Sequence, residues 1–178
     1  VPIVAANIHR LGIELPAGDH RVEVWVDRRP LWICAVVALV ALLLRRYRLA
    51  AAIALTVPIK LLLERRVIKV LVERQRPGTS VPDAILRDAS PTGLSFPSGH
   101  AILAFALAGL LAPYLGRVGR IVVYSVAGLN AVARVYLGAH NPLDVVGGAG
   151  LGIAIAGALN LAFGVPDQPN TAAEDVAD

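Results

Sequence analysis

Long apolar segments separated by short polar ones make up most of this chain. Five apolar runs stand out, at residues 31–44, 49–63, 101–115, 121–137 and 143–163. A membrane-spanning helix needs about 20 apolar residues, and flanking arginines can lengthen the shorter runs because their charged ends reach the membrane surface. The pattern therefore predicts an all-α fold: a polytopic transmembrane helix bundle with about five spans, or six if a further N-terminal helix precedes this sequence.

The segments between the apolar runs are polar or rich in turn-forming residues. Residues 64–75 continue the second run with an amphipathic pattern, which predicts a helix that ends at Arg76-Pro77. Residues 78–96 contain several Gly, Pro, Ser and Asp residues, which favour a loop.

The chain is predicted to hold one membrane-embedded domain, over residues 1–165. Its first part, residues 1–30, is largely polar after the opening residues and carries Pro16 and Pro30, so we interpret it as an extracytoplasmic segment or a truncated helix. Residues 166–178 are acidic and rich in Pro and Ala, which predicts a disordered cytoplasmic tail.

Composition narrows the class of protein. The chain has 178 residues, of which 56% are apolar, and its mean hydropathy of +0.65 is too high for an ordinary soluble fold. The single cysteine, Cys34, excludes an internal disulfide bond and a cysteine-based zinc site. Basic residues outnumber acidic ones by only 17 to 13 and lie mostly at the ends of apolar runs. An anionic lipid head group is therefore a better partner than nucleic acid.

Three polar motifs interrupt the apolar pattern. The first is K-V-L-V-E-R-Q-R-P at residues 69–77, the second is P-S-G-H at 97–100, and the third is A-R-V-Y-L-G-A-H-N-P-L-D at 133–144. Together they supply three cations, two histidines and one carboxylate: Lys69, Arg76, Arg134, His100, His140 and Asp144. Such a set of groups can hold a phosphate and break its ester bond.

Loop charge predicts that the three motifs lie on the same side of the membrane. Two tight turns carry arginines and no acidic residue: Arg45, Arg46, Arg48, Arg117 and Arg120. If these turns face the cytoplasm, as the positive-inside bias indicates, alternation of the spans places residues 64–100 and 134–144 on the opposite face. We therefore expect the site on the extracytoplasmic face of a bacterial cytoplasmic membrane.

The first motif supplies two of the cations. Lys69 and Arg76 are seven residues apart, so a continuous helix would place both on nearly the same face. Arginine can hold two phosphate oxygens in a fork, whereas lysine acts as a point charge. The other basic residues of this region, Arg65, Arg66 and Arg74, are interpreted as side chains that snorkel to the membrane surface.

The second motif predicts the start of a helix. Ser98 is a suitable N-cap residue after Pro97, and Gly99 allows backbone N–H groups to approach a ligand closely. The positive end of the helix that follows would favour an anion such as phosphate. His100, in the first turn, can then reach the leaving oxygen of a bound ester.

The third motif has the most specific geometry. Asn141 and Pro142 favour a helix start, with His140 just before it and Asp144 in the first turn. The Asp144 carboxylate can accept a hydrogen bond from one ring nitrogen of His140, which leaves the other nitrogen free to act as a nucleophile. Arg134 adds the third cation.

A metal site is the competing interpretation of these residues. Two histidines and one aspartate could bind zinc, but three converging cations would repel a metal ion. No metal and no other cofactor is therefore predicted.

Taken together, the motifs resemble the signature of the type 2 phosphatidic acid phosphatase (lipid phosphate phosphatase) superfamily, which is K-x6-R-P, P-S-G-H and S-R-x5-H-x3-D. The resemblance covers residues 69–144, and both order and spacing agree in all three parts. One departure is Ala133, which stands where the family has Ser. This change removes one hydrogen-bond donor to phosphate but no charge.

The resemblance implies a metal-independent hydrolysis in two steps. His140 would attack phosphorus and form a phosphohistidine, held in position by Asp144, while His100 would protonate the leaving group and then activate water. The groups expected to bind phosphate are Lys69, Arg76, Ser98, Gly99 and Arg134. Family substrates include phosphatidate, phosphatidylglycerol phosphate and polyprenyl phosphates or diphosphates, so the expected partners are a lipid phosphate and the membrane.

Three alternatives remain at this point. A phosphotransferase would use the same site and pass the phosphoryl or head group to another lipid or to a sugar. Vanadium haloperoxidases share the signature, but they are large and soluble, which the hydropathy of this chain disfavours. A catalytically silent domain that binds anionic lipid, as part of a larger protein with a further domain or N-terminal helix, is disfavoured because His100, His140 and Asp144 are all intact.

Overall fold

The computed structural model describes residues 29–87 and 93–166, and these ranges are predominantly helical. In chain order the helices are α1 (Arg29–Leu43), α2 (Tyr47–Leu61), a π-helix (Leu62–Ile68), α3 (Lys69–Val72), α4 (Pro77–Ser80), α5 (Gly99–Leu111), a 3-10 turn (Ala112–Tyr114), α6 (Arg117–Tyr136) and α7 (Pro142–Phe163). Among the described residues, the β-type pairing is limited to one antiparallel bridge between Gln75 and Leu94. The all-α prediction is therefore confirmed for this part of the chain.

Each of the five predicted apolar runs forms a helix: α1, α2, α5, α6 and α7. Among the described residues, α6 and α7 are long and apolar enough to cross a membrane, whereas two further apolar helices, Leu31–Leu43 and Gly99–Tyr114, are shorter. The number of spans stays a prediction. The predictions for the N-terminal segment and the acidic tail fall almost entirely on residues 1–28 and 167–178, outside the described residues.

Helix α6 carries large apolar side chains on its outer surface. Leu129 is 69% exposed and Val132 is 65% exposed. A contiguous apolar surface of this kind is unfavourable in water and is typical of contact with a membrane or another protein. The exposed face of α6 therefore agrees with the hydropathy of the chain.

Helix α5 lies at the centre of the bundle and packs against α2, α6 and α7. Its Ile102 and Leu110 are fully buried, and they belong to the same apolar core as Ile53 of α2 and Ile155 of α7. This core fixes the first turn of α5, where the second motif lies, relative to the neighbouring helices.

Glycine residues allow α7 to approach α5 closely. A Cβ atom at Gly148 would lie 2.6 Å from the carbonyl oxygen of Ser98 and 2.9 Å from the Cβ of Ala101. A Cβ atom at Gly152 would collide with the carbonyl oxygen of Ile102. Small residues permit such backbone contacts between membrane helices. The first turns of the two helices are therefore held side by side.

The amphipathic helix predicted over residues 64–75 ends early. After the π-helix, α3 stops at Val72, and Glu73 adopts a left-handed conformation with φ 47°, which does not continue a right-handed helix. The prediction that Lys69 and Arg76 share one helix face was therefore wrong. Arg76 instead has an extended conformation just before α4.

Hydrogen bonds join the end of the first motif to the residues that precede the second. The N–H of Arg76 donates to the carbonyl oxygen of Gly93 at 3.1 Å, and the N–H of Ser95 donates to that of Arg74 at 2.8 Å. The hydroxyl of the buried Ser95 donates to the carbonyl oxygen of Gln75 at 2.9 Å. We call this pairing of residues 74–76 with residues 93–95 the loop neck.

Candidate active site

The third motif encloses its carboxylate at the start of α7. Asp144 is fully buried, and its Oδ2 accepts the backbone N–H of Asn141 at 2.8 Å. The carboxylate therefore caps its own helix, where the positive end of the helix dipole favours a negative charge. His140, which precedes Asn141, is also buried.

His140 and Asp144 lie close together without a hydrogen bond. Nδ1 of His140 is 3.8 Å from Oδ2 of Asp144, which is beyond hydrogen-bond distance. Nδ1 and the other carboxylate oxygen, Oδ1, are buried and have no hydrogen-bond partner among the described residues. The hydrogen bond expected from the sequence is absent from this structure, although a movement of about 1 Å would form it.

Arg74 approaches the same carboxylate from the loop neck. Its Nη1 lies 3.5 Å from Oδ1 of Asp144, and its side chain is 36% exposed. A helix that continued through residue 74 would make Arg74 a snorkelling side chain, which is the prediction from the sequence. The early helix end turns Arg74 toward the third motif, so the sequence pattern carried no signal for this contact.

Ser98 connects the second motif to the third. It is the N-cap residue of α5, as predicted, but its hydroxyl makes no capping hydrogen bond. Its backbone N–H donates to the carbonyl oxygen of Asp144 at 2.9 Å. Its Oγ is fully buried and has no hydrogen-bond partner among the described residues. Because an unsatisfied buried hydroxyl is costly, this group is suited to receive a ligand oxygen.

Positive charge surrounds His140. Its pKa is lowered from 6.5 to about 3, first by burial and then by the charges of Arg76, Arg134, Lys69 and His100. Burial also lowers the pKa of the Arg76 guanidinium, and the charge of Arg134 adds to this effect. His140 is therefore neutral at pH 7, and residues from all three motifs lie near enough to influence it.

A buried cluster of three charged side chains lies beside the site and was missed by the sequence analysis. Oε2 of Glu64 is 2.5 Å from Nζ of Lys60, and Oε1 of Glu64 is 2.7 Å from Nζ of Lys69. Glu64 is 3% exposed and Lys60 is 9% exposed. A signal did exist, because two ionisable residues four apart at the end of an apolar run indicate a paired site. We call these three residues the Lys-Glu-Lys cluster.

The Lys-Glu-Lys cluster gives a structural reason for Gly99. A Cβ atom at this position would lie 2.8 Å from Oε2 of Glu64 and 2.8 Å from Nζ of Lys60. The sequence predicts that this glycine makes room for a ligand near the helix start. In the structure it also makes room for the charged side chains that pack beneath the first turn of α5.

This arrangement is suited to chemistry on an anion. A neutral imidazole is nucleophilic, and the cations around it can offset the charge of a phosphate and of its transition state. Within the described residues, no three His, Cys, Asp or Glu side chains are grouped as metal ligands would be. Ala133, which stands where the motif signature has Ser, is exposed on α6.

The sequence of this chain is similar to a protein-family model and to several proteins of known activity. A family model described as the PAP2 superfamily matches residues 46–165. The decaprenylphosphoryl-5-phosphoribose phosphatase of Mycolicibacterium smegmatis is 42% identical over 82 residues, which are 46% of this chain and 43% of that protein. Phosphatidylglycerophosphatase B of Bacillus subtilis is 35% identical over 101 residues, 51% of this chain and 46% of that protein.

A third curated relative and a solved structure extend the match. The undecaprenyl-diphosphatase of Sulfolobus acidocaldarius is 32% identical over 125 residues, 70% of this chain and 60% of that protein. The matched part of the chain thus spans between 43% and 60% of the length of these relatives. The crystal structure of a transmembrane PAP2-type phosphatidylglycerolphosphate phosphatase from Bacillus subtilis has a TM-score of 0.64 at 24% identity, covering 77% of this chain and 70% of that one. The two chains share a fold.

Proposed function

Since this chain belongs to the PAP2 superfamily, we propose that it is an integral-membrane, metal-independent phosphatase that hydrolyses a phosphomonoester or diphosphate of a lipid. The observation that carries the proposal is a buried, neutral His140 surrounded by positive charge. Such an imidazole can attack phosphorus while the surrounding charges stabilise the negative charge that develops. The three curated relatives, each named as a phosphatase or diphosphatase, support the same reaction class.

In the first proposed step, Nε2 of His140 attacks phosphorus. A P–N bond forms, the P–O bond to the leaving group breaks, and protonated His100 gives its proton to the departing oxygen. The lipid alcohol, or a lipid phosphate when the substrate is a diphosphate, leaves the site. His140 then carries the phosphoryl group as a phosphohistidine.

In the second proposed step, water replaces the histidine on phosphorus. His100, now neutral, accepts a proton from the water as it attacks, and the P–N bond breaks. Inorganic phosphate leaves, His140 is regenerated, and His100 is protonated as at the start. The cycle consumes one water molecule and needs no cofactor.

Asp144 is proposed to position the His140 ring and to stabilise its charge. Attack by Nε2 places positive charge on the ring, which favours a hydrogen bond from Nδ1–H to a carboxylate. The present separation of 3.8 Å shortens to a hydrogen bond with a movement of about 1 Å. Arg74 lies beside the other oxygen of the same carboxylate, and its positive charge partly offsets the negative charge of Asp144 before the imidazole ring becomes charged.

The phosphate is proposed to lie between the cations and the first turn of α5. Lys69, Arg76 and Arg134 would contact its nonbridging oxygens. The unpartnered hydroxyl of Ser98 and the backbone at Gly99 would donate to the same oxygens at the positive end of the helix.

We further propose that residues 1–165 form one membrane-embedded domain with five spans, or six with a preceding helix. The active site would face the extracytoplasmic side of a bacterial cytoplasmic membrane. Exposed arginines at the starts of α2 and α6 support this orientation, because site residues lie beyond the opposite end of α2, at Lys69, and at the opposite end of α6, at Arg134. An Arg117→Cys variant with Cys34→Ala should resist a membrane-impermeant maleimide on intact cells, and labelling there would contradict the orientation.

The test of the proposed function is phosphate release by detergent-solubilised protein in the presence of EDTA. Phosphatidate, phosphatidylglycerol phosphate and undecaprenyl diphosphate serve as substrates, and His140→Ala serves as the matched variant. We expect EDTA-resistant release from at least one substrate and a loss of about 10³-fold or more in the variant, because the nucleophile is absent.

Two results would contradict the proposal. Full activity in a folded His140→Ala protein would exclude the phosphohistidine. The absence of release from all three lipids by folded wild-type protein would favour a phosphotransferase, which a phosphorylated acceptor would reveal, or a silent lipid-binding domain.

A further inference from the structure

We propose that Lys60 and Glu64 set the strength with which Lys69 binds phosphate, acting together as a charge-balancing pair behind the active site. The inference rests on the proposed function, because it concerns the same phosphate site. Neither residue belongs to the three motifs. Both act through Lys69, so they are positioning residues and do not contact the reacting atoms.

The contacts within the Lys-Glu-Lys cluster are short and shielded from solvent. Glu64 places one carboxylate oxygen on each lysine, at 2.5 Å from Nζ of Lys60 and 2.7 Å from Nζ of Lys69. The Glu64 side chain is 4% exposed, and those of the two lysines are 11% and 19% exposed. Water therefore screens these charges weakly, and each affects its neighbours more than a surface charge would.

The π-helix is the reason that Glu64 can contact Lys69. In an α-helix each residue turns about 100°, so residues five apart point about 140° away from each other. A π-helix bonds each N–H to the carbonyl oxygen five residues earlier, which brings residues five apart onto nearly the same face. The backbone N–H of Lys69 donates to the carbonyl oxygen of Glu64, and the side chains of the same two residues pair.

The cluster lies directly against the proposed phosphate site. The side chains of Glu64 and Lys60 occupy the position beside Gly99 where a Cβ atom would lie, and Gly99 is the first residue of α5. Lys69 contributes to the positive charge around His140. A change of charge at Lys60 or Glu64 therefore alters the electrostatic potential at the phosphate site through its effect on Lys69, which lies a short distance away.

Charge arithmetic gives the role of each residue. Two lysines and one glutamate carry 2 − 1 = +1. With Glu64 alone as its partner, Lys69 would be neutralised and the pair would carry 1 − 1 = 0. Lys60 restores one positive charge, so Glu64 can hold Lys69 in place without removing its attraction for an anion.

The test measures the binding of orthovanadate, an inorganic analogue of phosphate, by isothermal titration calorimetry of the full chain in detergent. We expect Lys60→Gln to weaken binding by about tenfold, because the cluster charge falls to zero. In Glu64→Gln the net charge of the cluster rises to +2, so this variant should bind vanadate at least as tightly as wild type. The double variant regains +1 and should bind within about threefold of wild type.

Two exposed arginines of the same helical segment provide the matched control. Arg65→Gln and Arg66→Gln remove the same charge from the π-helix, outside the buried cluster. We expect vanadate binding within about twofold of wild type for both, because solvent screens exposed charges. KM should follow the vanadate affinity in each variant, and kcat should change less than KM, because the cluster does not contact the reacting atoms.

Rescue of Lys60→Gln by the second substitution is the decisive result, because the second substitution restores the +1 charge of the cluster without restoring any contact that the first one removed. Equal weakening in Lys60→Gln and in the double variant would overturn the inference, as would a Lys60→Gln affinity equal to that of the arginine controls. If Lys60→Gln does not fold, the double variant must still bind more weakly than Glu64→Gln. Hydrolysis by the wild type tests the proposed function separately, since vanadate titration does not depend on turnover.

Discussion

The two halves of the candidate site are held together by different kinds of interaction. On the α5–α7 side, the backbone of Ser98 is bonded to that of Asp144, and Gly148 lets the helices touch. The other half is formed by the end of α2 and the residues that follow it. There, long charged side chains contact one another: Glu64 lies between two lysines, and Arg74 lies beside Asp144. Backbone contacts fix positions, whereas long side chains can exchange partners. We infer that the first half sets the geometry of the reaction and the second adapts the charge to the ligand.

The largest effect should come from separating the backbones of the first half. In Gly148→Ala, the new methyl group would lie 2.6 Å from the carbonyl oxygen of Ser98, so α7 must move away from α5. Overpacking of this kind costs about 1–3 kcal/mol. We expect a lower melting temperature in detergent and a fall in kcat, because Ser98 and Asp144 move apart.

Gly150→Ala and Gly157→Ala are the controls, on the same helix. Among the described residues, no atom outside the neighbouring residues and backbone of α7 itself lies within 4 Å of a Cβ at either position. These variants should keep wild-type activity and gain slightly in stability, because alanine favours a helix over glycine. Equal effects at Gly148 and Gly150 would show that the close approach of the helices does not hold the site.

A smaller effect is expected when one charge of the second half is removed. Arg74→Ala takes away the guanidinium that lies 3.5 Å from Asp144 and leaves this buried carboxylate with less positive charge around it. We expect kcat/KM to fall by about tenfold, because a fully buried carboxylate loses a positively charged partner. Arg74→Lys, which keeps the charge, should recover most of the activity.

Arg66→Ala serves as the comparison for Arg74, because its side chain is exposed. Its kcat/KM should stay within about twofold of wild type. If Arg74→Ala behaves like Arg66→Ala, the charged half of the site does not extend to Arg74, and the contact with Asp144 has no role in the reaction.

The smallest effect concerns the pH dependence of stability. The pKa of His140 is about 3 in the folded protein and 6.5 when unperturbed, so the unfolded chain binds a proton more readily. The resulting stability is fully present above pH 6.5 and is lost as pH falls toward 3. Linkage predicts a loss of about 1 kcal/mol between about pH 7 and about pH 5.5.

Thermal denaturation at the two pH values would measure this loss. His140→Gln lacks the titrating group, so its melting temperature should fall less over the same interval than that of the wild type. Equal shifts in the two proteins would mean that His140 has nearly the same pKa in the folded and the unfolded protein, contrary to the lowered pKa of the buried imidazole.

Sequence reasoning was sufficient where local backbone rules decide the structure. The apolar runs indicated the helices, and the caps at Ser98 and Asn141 indicated where α5 and α7 begin. Those starts place Asp144 next to Ser98, with His140 just before α7, so the placement of the backbone-held half was predictable from short-range patterns. The family resemblance inferred from the same motifs is confirmed by the match over residues 46–165.

The charged half could not be predicted in the same way, because it depends on departures from regular helix geometry. A π-helix has no clear composition signal, yet it determines which residues pair with Glu64. The left-handed Glu73 ends the helix without a glycine, which is the usual C-terminal signal. The contact of Arg74 with Asp144 and the pairing of Lys69 with Glu64 follow from these two local events, whereas the spacing of Lys60 and Glu64 did indicate a pair.

The loop neck has a consequence for how this protein can vary. The backbone of Arg76 is hydrogen-bonded to that of Gly93, and the backbone of Ser95 to that of Arg74. The two ends of the intervening loop are therefore held together at the loop neck. Lengthening a loop whose ends are already joined costs little, about 0.6 kcal/mol for each doubling. A change in the length of the stretch between the two sides of the loop neck should therefore cost little stability. Related chains can therefore differ in the length of this stretch while Arg74 and Arg76 keep their places in the loop neck.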